Sequence, residues 1–165
     1  MELNRTKIVL IVGGEAMLKL SKLTDYATVI LSYMAKVPEN MYAAQEISEV
    51  TGIAQPTVSK VLKLLIRAKV LTSVRGAKGG YLLARAPEEI TVATVINALE
   101  GPIALTECSA SHKNCEQAAG CGIQRNWDLI NQTIFNALES VTLADMVLPA
   151  KQPEEIRIPV SSLYK

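Results

Sequence analysis

The chain is poor in aromatic residues and has no long apolar run. Aromatics make up 4% of its 165 residues against 49% for all hydrophobic types, so the core has to be built from Leu, Ile, Val and Ala. No apolar stretch approaches the roughly 18 to 20 residues of a membrane-spanning helix. The run Ile8–Val12 is also shorter than the apolar core of a signal peptide, about 7 to 15 residues. We therefore expect a cytoplasmic, helical protein without a membrane partner.

Acidic residues are absent from residues 55–85. That segment holds seven bases, whereas residues 86–165 hold ten acids and five bases, so the net charge of +1 conceals a strong asymmetry. A basic segment in a nearly neutral chain is typical of a site for a polyanion. The bases are Lys60, Lys63, Arg67, Lys69, Arg75, Lys78 and Arg85.

The residue patterns of common enzyme sites are also missing. The chain has no Cys-x-x-Cys pair, no nucleophile with an obvious base and no phosphate-binding glycine loop between a strand and a helix. We therefore predict that the protein is not an enzyme and has no small-molecule substrate.

Cysteine is confined to one fourteen-residue stretch, which contains Cys108, Cys115 and Cys121. An odd number argues against a complete set of disulfides, and 165 residues bury a core without them. Three thiolates that converge in a loop of small and polar residues suit a soft metal or an iron-sulfur cluster. His112, the only histidine, lies in the same loop and would complete a Cys3His zinc site, or else is a solvent-exposed side chain without a ligand role.

A helix-turn-helix is predicted in the basic half of the chain. Residues 43–51 form the first helix, Gly52 supplies the turn, and Pro56 suits the first turn of a second helix that runs to about Lys69. The second helix turns Val58, Val61, Leu62 and Leu65 inward. Its predicted DNA contacts face outward near its N-terminal end and are Thr57, Ser59, Lys60 and Lys63.

A basic hairpin follows directly. Two short apolar strands flank Arg75-Gly-Ala-Lys-Gly-Gly80, whose glycines permit a tight reversal. After a helix-turn-helix this pattern predicts the wing of a winged helix, with Arg75 and Lys78 carried to the DNA backbone or minor groove. We add Ser21 and Lys22, at the start of the first helix, to the predicted contacts with double-stranded DNA.

A long C-terminal helix is predicted from about residue 123 toward Pro149. Its apolar positions step by four and three residues in alternation, the 3.5-residue repeat of a helix-pairing seam. We expect this seam to form a homodimer and to place two DNA-reading helices about one DNA turn apart. The predicted interface consists of Ile123, Trp127, Ile130, Ile134, Ala137 and Val141.

The predicted fold is therefore mainly α, a winged helix-turn-helix with a small β-hairpin wing and a long C-terminal dimerisation helix. Residues 1–16 precede a second methionine, Met17, and are an extension or a start-site artefact. The further divisions are a DNA-binding domain (17–101), a cysteine loop (102–122), the dimerisation helix (123–149) and an irregular tail (150–165).

These features together resemble the winged-helix iron-sulfur transcription regulator family of the IscR and NsrR type. The resemblance covers residues 17–148 and is carried by Leu20-Ser-Lys-Leu-Thr-Asp-Tyr-Ala27, the helix-turn-helix, the wing and the cysteine loop. Within that family the Thr-Glu-Cys108 start of the loop and its Cys121-Gly-Ile-Gln-Arg-Asn-Trp end are most similar to the regulators of the SUF cluster-assembly operon.

The resemblance implies a cluster held by the three cysteines and one other ligand. We favour a [2Fe–2S] cluster, with [4Fe–4S] as the alternative. Family members use a histidine three residues after the third cysteine, where this chain has Gln124. Asp25 is one candidate for the fourth ligand, since the Thr-Asp pair matches a position that supplies a partner-subunit carboxylate in the nitric-oxide sensor. An acid in a helix first turn is also favoured by the helix dipole without any metal.

The leading hypothesis is a dimeric transcription regulator, expected to be a repressor, that senses cluster, redox or nitric oxide status and controls cluster-assembly genes. The alternative is a zinc-stabilised protein-interaction module in which the helix-turn-helix is only scaffold. The acid-free basic segment favours the regulator.

Overall fold

The computed structural model of the chain describes residues 19–76, 79–110 and 121–148, and these are mainly helical with one antiparallel hairpin. None of the helices within these ranges has the length and hydrophobicity needed to cross a membrane. The elements are α1 (Lys22–Met34), α2 (Ala44–Thr51), α3 (Gln55–Arg67), β1 (Leu71–Val74), β2 (Gly80–Leu83), a 3-10 turn (Pro87–Glu89), α4 (Val92–Glu100), α5 (Glu107–Ala110), α6 (Gln124–Glu139) and α7 (Leu143–Val147).

Helix α1 begins at a serine cap. The Ser21 hydroxyl accepts a hydrogen bond from the Thr24 amide, which satisfies one of the free N–H groups of the first turn. Its inward side chains enter the core at helical spacing and are Ala27, Ile30, Leu31 and Met34.

The helix-turn-helix is confirmed. Gly52 ends α2 with φ of 70°, a left-handed conformation that favours glycine, and α3 then begins with Pro56 in its first turn. The inward face of α3 is the predicted one, since all four of its apolar residues are buried: Val58, Val61, Leu62 and Leu65.

The wing is also confirmed as a hairpin. Strands β1 and β2 pair antiparallel from Leu71 opposite Leu83 to Val74 opposite Gly80. Leu71 and Leu83 are buried at the base, so the hairpin is anchored in the core while its far end extends from it.

The C-terminal helix is shorter than the sequence predicts. Helix α6 ends at Glu139, and α7 begins four residues later behind a new cap in which Thr142 and Asp145 bond each other's backbone amides. The amides of Val92 and Leu143 donate to Val141 and Ile90 at 2.8 and 2.7 Å, and Leu143 is 4% exposed. The prediction of one helix to Pro149 is therefore wrong, because this connection folds back onto the winged domain.

Candidate functional site

The outward face of α3 is a continuous basic surface. Lys60, Lys63 and Arg67 line a shallow cavity of about 310 Å³ together with Pro56, Ser59 and Leu64. Lys60 and Lys63 are exposed, whereas Thr57 and Ser59 are half-buried beside them. Three of the four predicted DNA contacts of α3, Ser59, Lys60 and Lys63, therefore lie on one face of the helix, and Arg67 extends that face by another turn.

The wing carries Arg75 away from the core. Arg75 follows β1 directly and is exposed, while Lys78, its predicted companion, lies outside the described residues. The hairpin also pairs with the segment before α2. Tyr42 and Tyr81 each donate an amide hydrogen bond of 2.9 Å to the other's carbonyl.

The first turn of α1 is held by a carboxylate from another helix. Glu100, the last residue of α4, accepts hydrogen bonds at Oε1 from the Ser21 amide at 2.7 Å and from the Thr24 hydroxyl at 2.5 Å. The Thr24 and Ser21 donors hold the pKa of Glu100 below its ordinary value, against a smaller opposing effect of burial. The backbone of Ser21, an exposed residue, is therefore fixed in place by a residue that lies just before the cysteine loop, and the exposed Lys22 follows it.

Two of the three cysteines lie within the described residues. Cys108 is in α5 and 7% exposed, with its sulfur 3.1 Å from the Thr106 hydroxyl, and Cys121 is half-buried just before α6. Helix α5 packs against α6. The elements that carry or adjoin the two thiols are thus neighbours. Cys115 and His112 lie outside the described residues.

Asn131 anchors the start of the cysteine loop to α6. Its amide nitrogen donates to the Ile103 carbonyl at 3.1 Å, and its amide oxygen accepts from the Leu105 amide at 3.1 Å. This paired contact fixes the backbone three to five residues before Cys108, so the path of the segment that leads to Cys108 depends on the position of α6.

The described thiols fit a metal or cluster in donor type. Thiolates are the ligands that iron-sulfur clusters and structural zinc prefer. Within the three described ranges, no group of three or more His, Cys, Asp or Glu side chains comes together around one point. Asp25 is exposed in the first turn of α1, a separate element from those that carry Cys108 and Cys121.

The apolar face of α6 is incompletely covered within one chain. No residue of α6 is fully buried, and Ile123, just before it, is 59% exposed. Trp127, Ile130, Ile134 and Ala137 are half-buried. Val141, which was predicted in the same helix, lies instead in the connection to α7 and is 37% exposed.

Sequence reasoning missed several residues that organise this site. Glu100 and Asn131 act through partners that are 76 and 26 to 28 positions away, and no local motif reports such pairs. Arg67 was recognisable, because it is seven residues after Lys60 and so on the same helical face.

Comparison with known proteins agrees with this arrangement. CymR, the global cysteine regulator of B. subtilis, has a TM-score of 0.62 and 29% identity over 79% of this chain and 96% of that one. IscR of T. potens has a TM-score of 0.60 and 30% identity over 79% and 86%. A transcriptional regulator from Listeria innocua has a TM-score of 0.66 and 26% identity over 87% and 96%.

The family model for Rrf2, described as an iron-dependent transcriptional regulator, matches residues 20–149. The basic face of α3, the anchored wing and the two described cysteines, Cys108 and Cys121, thus occur on a fold shared with DNA-binding regulators. The chain belongs to the Rrf2 family of transcriptional regulators.

Proposed function

We propose that the protein is a dimeric cytoplasmic repressor whose operator affinity depends on an iron-sulfur cluster held by its cysteine loop. The observation that carries the proposal is the location of Cys108 and Cys121. One thiol is buried in α5, which packs on α6, and the other lies three residues before α6, whose apolar face is incompletely covered. A change at these thiols therefore acts directly on the helix that is expected to join two protomers.

The incomplete cover of α6 supports a dimer. A helix whose apolar residues are only half-buried gains stability when a second copy covers them. The seam that would pair is shorter than the sequence suggested and consists of Ile123, Trp127, Ile130, Ile134 and Ala137.

The DNA contacts would combine α3, the wing and α1. Lys60 and Lys63 lie in the middle of α3, on its outward face, and α3 corresponds to the helix that enters a major groove in helix-turn-helix proteins. Arg75 would reach the backbone from the wing, and Lys22 would contact phosphate from the first turn of α1. Each basic contact adds a counterion-releasing, sequence-independent contribution.

Cys108, Cys115 and Cys121 would hold the cluster, with Asp25 of a second protomer or His112 as the remaining ligand. When bound, the cluster supplies a centre that oxidants or nitric oxide alter, with a potential set by its ligands and its hydrogen bonds. The Thr106 hydroxyl, 3.1 Å from the Cys108 sulfur, is one such hydrogen-bonding group. A [2Fe–2S] cluster is favoured over a [4Fe–4S] cluster.

The chain's own residues would turn thiol ligation into DNA affinity. With its sulfurs engaged, the loop is tied at Cys108 and Cys121 as well as at Asn131. Without those ties the segment around α5 gains freedom, and the start of α6 loses a fixed neighbour. Ligation shifts the equilibrium only through its different affinity for the two arrangements.

The target genes are proposed from the loop sequence. The Thr106-Glu-Cys108 start and the Cys121 to Trp127 end are most similar to the SUF-operon regulators, so we propose cluster-assembly genes as targets. Footprinting on promoters of that class, with unrelated promoters as controls, tests this choice. Equal protection of both promoter sets would contradict it.

Anaerobic purification tests the cluster. The parent protein is expected to be brown, with visible absorbance that Cys108→Ser and Cys121→Ser abolish, while the matched loop variant Ser109→Ala retains it. Asp25→Ala and His112→Ala, compared by electron paramagnetic resonance, identify the fourth ligand. A colourless parent protein with one zinc per chain would instead support a zinc-stabilised module.

A further inference from the structure

Two glutamates each end one helix and hold the start of another. Glu139, the last residue of α6, accepts a 2.8 Å hydrogen bond from the hydroxyl of Thr91, the cap of α4. Glu100, the last residue of α4, accepts hydrogen bonds from Ser21 and Thr24 in the cap and first turn of α1. Helices α6, α4 and α1 are thus joined in that order, end to start.

Electrostatics favour the partner helix in both pairs. The C-terminal end of a helix carries partial negative charge, so a carboxylate there is unfavourable for its own helix. The N-terminal end carries partial positive charge and free N–H groups, which a carboxylate stabilises. Glu139 and Glu100 therefore contribute to α4 and α1 rather than to the helices that contain them.

The two ends of this series are functional positions. Helix α6 begins three residues after Cys121, and Asn131 ties it to the backbone before Cys108. At the other end, the first turn of α1 presents Ser21, Lys22 and Asp25. Thr24, the residue that Glu100 holds, is fully buried, so its position is coupled to the core as well as to α4.

We propose that Glu139 and Glu100 are positioning residues that transmit the placement of α6 to the first turn of α1. The inference rests on the proposed function, because it supplies the route from the cysteine loop to the DNA contacts. A displacement of α6 moves Glu139 and the Thr91 cap, and α4 carries the change to Glu100. Gly101, with φ of 88°, lets the chain turn from Glu100 into the loop.

Three substitutions separate transmission from local stability. Thr24→Val removes one hydroxyl at nearly constant volume and charge, and Glu139→Gln weakens the contact with Thr91. Glu88→Gln, at an exposed site before α4, is the control for the loss of a carboxylate. Each is combined with Cys108→Ser, and operator dissociation constants are measured anaerobically with and without that cysteine.

The ratio of the two dissociation constants is the readout. We expect Thr24→Val and Glu139→Gln to reduce that ratio at least about fivefold, the lower end of ordinary allosteric coupling, while Glu88→Gln leaves it unchanged. In protein without metal, amide hydrogen exchange at Ser21 is expected to accelerate in Glu139→Gln. A merely local role for Glu139 at Thr91 would not change exchange at Ser21.

Failures of the two proposals are distinguishable. If Cys108→Ser leaves operator affinity unchanged, the proposed function is wrong, and Ser21 exchange in Glu139→Gln still decides the linkage. Suppose instead that Cys108→Ser alters operator affinity, but that Thr24→Val and Glu139→Gln keep the parental ratio of dissociation constants. The proposal that Glu139 and Glu100 transmit the placement of α6 to α1 is then overturned. Should Thr24→Val unfold, Thr24→Ser keeps the hydroxyl and must preserve the parental ratio, whereas Thr24→Ala must reduce it.

Discussion

Tyr42 and Tyr81 are joined by two backbone hydrogen bonds of 2.9 Å, one in each direction. This bridge holds the wing against the segment that leads into α2, so the wing and the helix-turn-helix are fixed to one another. Gly80 lies beside it, and a Cβ atom there would come within 2.8 Å of both the Tyr42 carbonyl oxygen and Met41 Cγ. The bridge between Tyr42 and Tyr81 therefore requires glycine at position 80.

Gly80→Ala is expected to destabilise the protein by about 1–3 kcal/mol, the usual cost of overpacking, and to weaken operator binding by displacing the wing. Urea unfolding and operator titration measure the two effects. Gly122→Ala is the matched control, because a Cβ there meets no atom within 4 Å. Equal stability of the two variants would show that the bridge tolerates a methyl group.

Arg75→Ala is expected to reduce the slope of log K against log salt for operator binding by about 1, since one counterion-releasing contact is lost. The measurement is fluorescence anisotropy at several salt concentrations. Lys36→Ala, at an exposed site after the C-terminal end of α1, is expected to leave the slope unchanged. An unchanged slope for Arg75→Ala would exclude Arg75 from the phosphate contacts.

Local sequence patterns predicted the winged helix but not the contacts between segments that are distant along the chain. Gly52, Pro56 and the apolar spacing of α3 act within a few residues, so their prediction was accurate. The heptad spacing after Ile123 wrongly predicted one continuous helix. The spacing of apolar residues carries no information on the capping pair Thr142 and Asp145, which starts the separate helix α7.

The cysteine site was likewise predicted only in its local features. Clustering of the thiols along the chain was visible, but the burial of Cys108 and the packing of α5 against α6 follow only from the folded structure. The contacts of Asn131 and Glu100 join distant segments and follow only from the folded structure.

Ile130→Asp is expected to convert the protein to monomers and to weaken operator binding at least about tenfold, since a monomer loses the second half-site. The substituted carboxylate would lie on the incompletely covered apolar face of α6. Sedimentation velocity and operator titration measure the two effects, and circular dichroism verifies the fold. The control is Gln132→Glu, at an exposed site on the same helix. A dimer that persists in Ile130→Asp would refute the proposed seam.

Glu100 is expected to make stability depend on pH. Because the Thr24 and Ser21 hydrogen bonds lower its pKa in the folded state, its contribution is fully present above the ordinary value of 4.5 and is lost as pH falls through the lowered value. The stability difference between the parent and Glu100→Gln should therefore shrink on acidification below about pH 4.5. Urea unfolding at several pH values measures it. When both proteins also carry Thr24→Val, the stability difference caused by Glu100→Gln should depend less on pH. An unchanged pH dependence would mean that Thr24 does not lower the pKa of Glu100.

Asn131→Ala is expected to expose Cys108 to thiol reagents. The substitution removes the two hydrogen bonds that hold residues 103–105 on α6, each worth about 1 kcal/mol, and frees the segment that leads into α5, where this sulfur is buried. In reduced, metal-free protein, alkylation of Cys108 followed by mass spectrometry should accelerate by about tenfold or more. Asn136→Ala is the control on the same helix, because Asn136 accepts only from Gln132 among its described side-chain contacts. Identical alkylation rates in the two variants would show that α5 is held by its own packing rather than by Asn131.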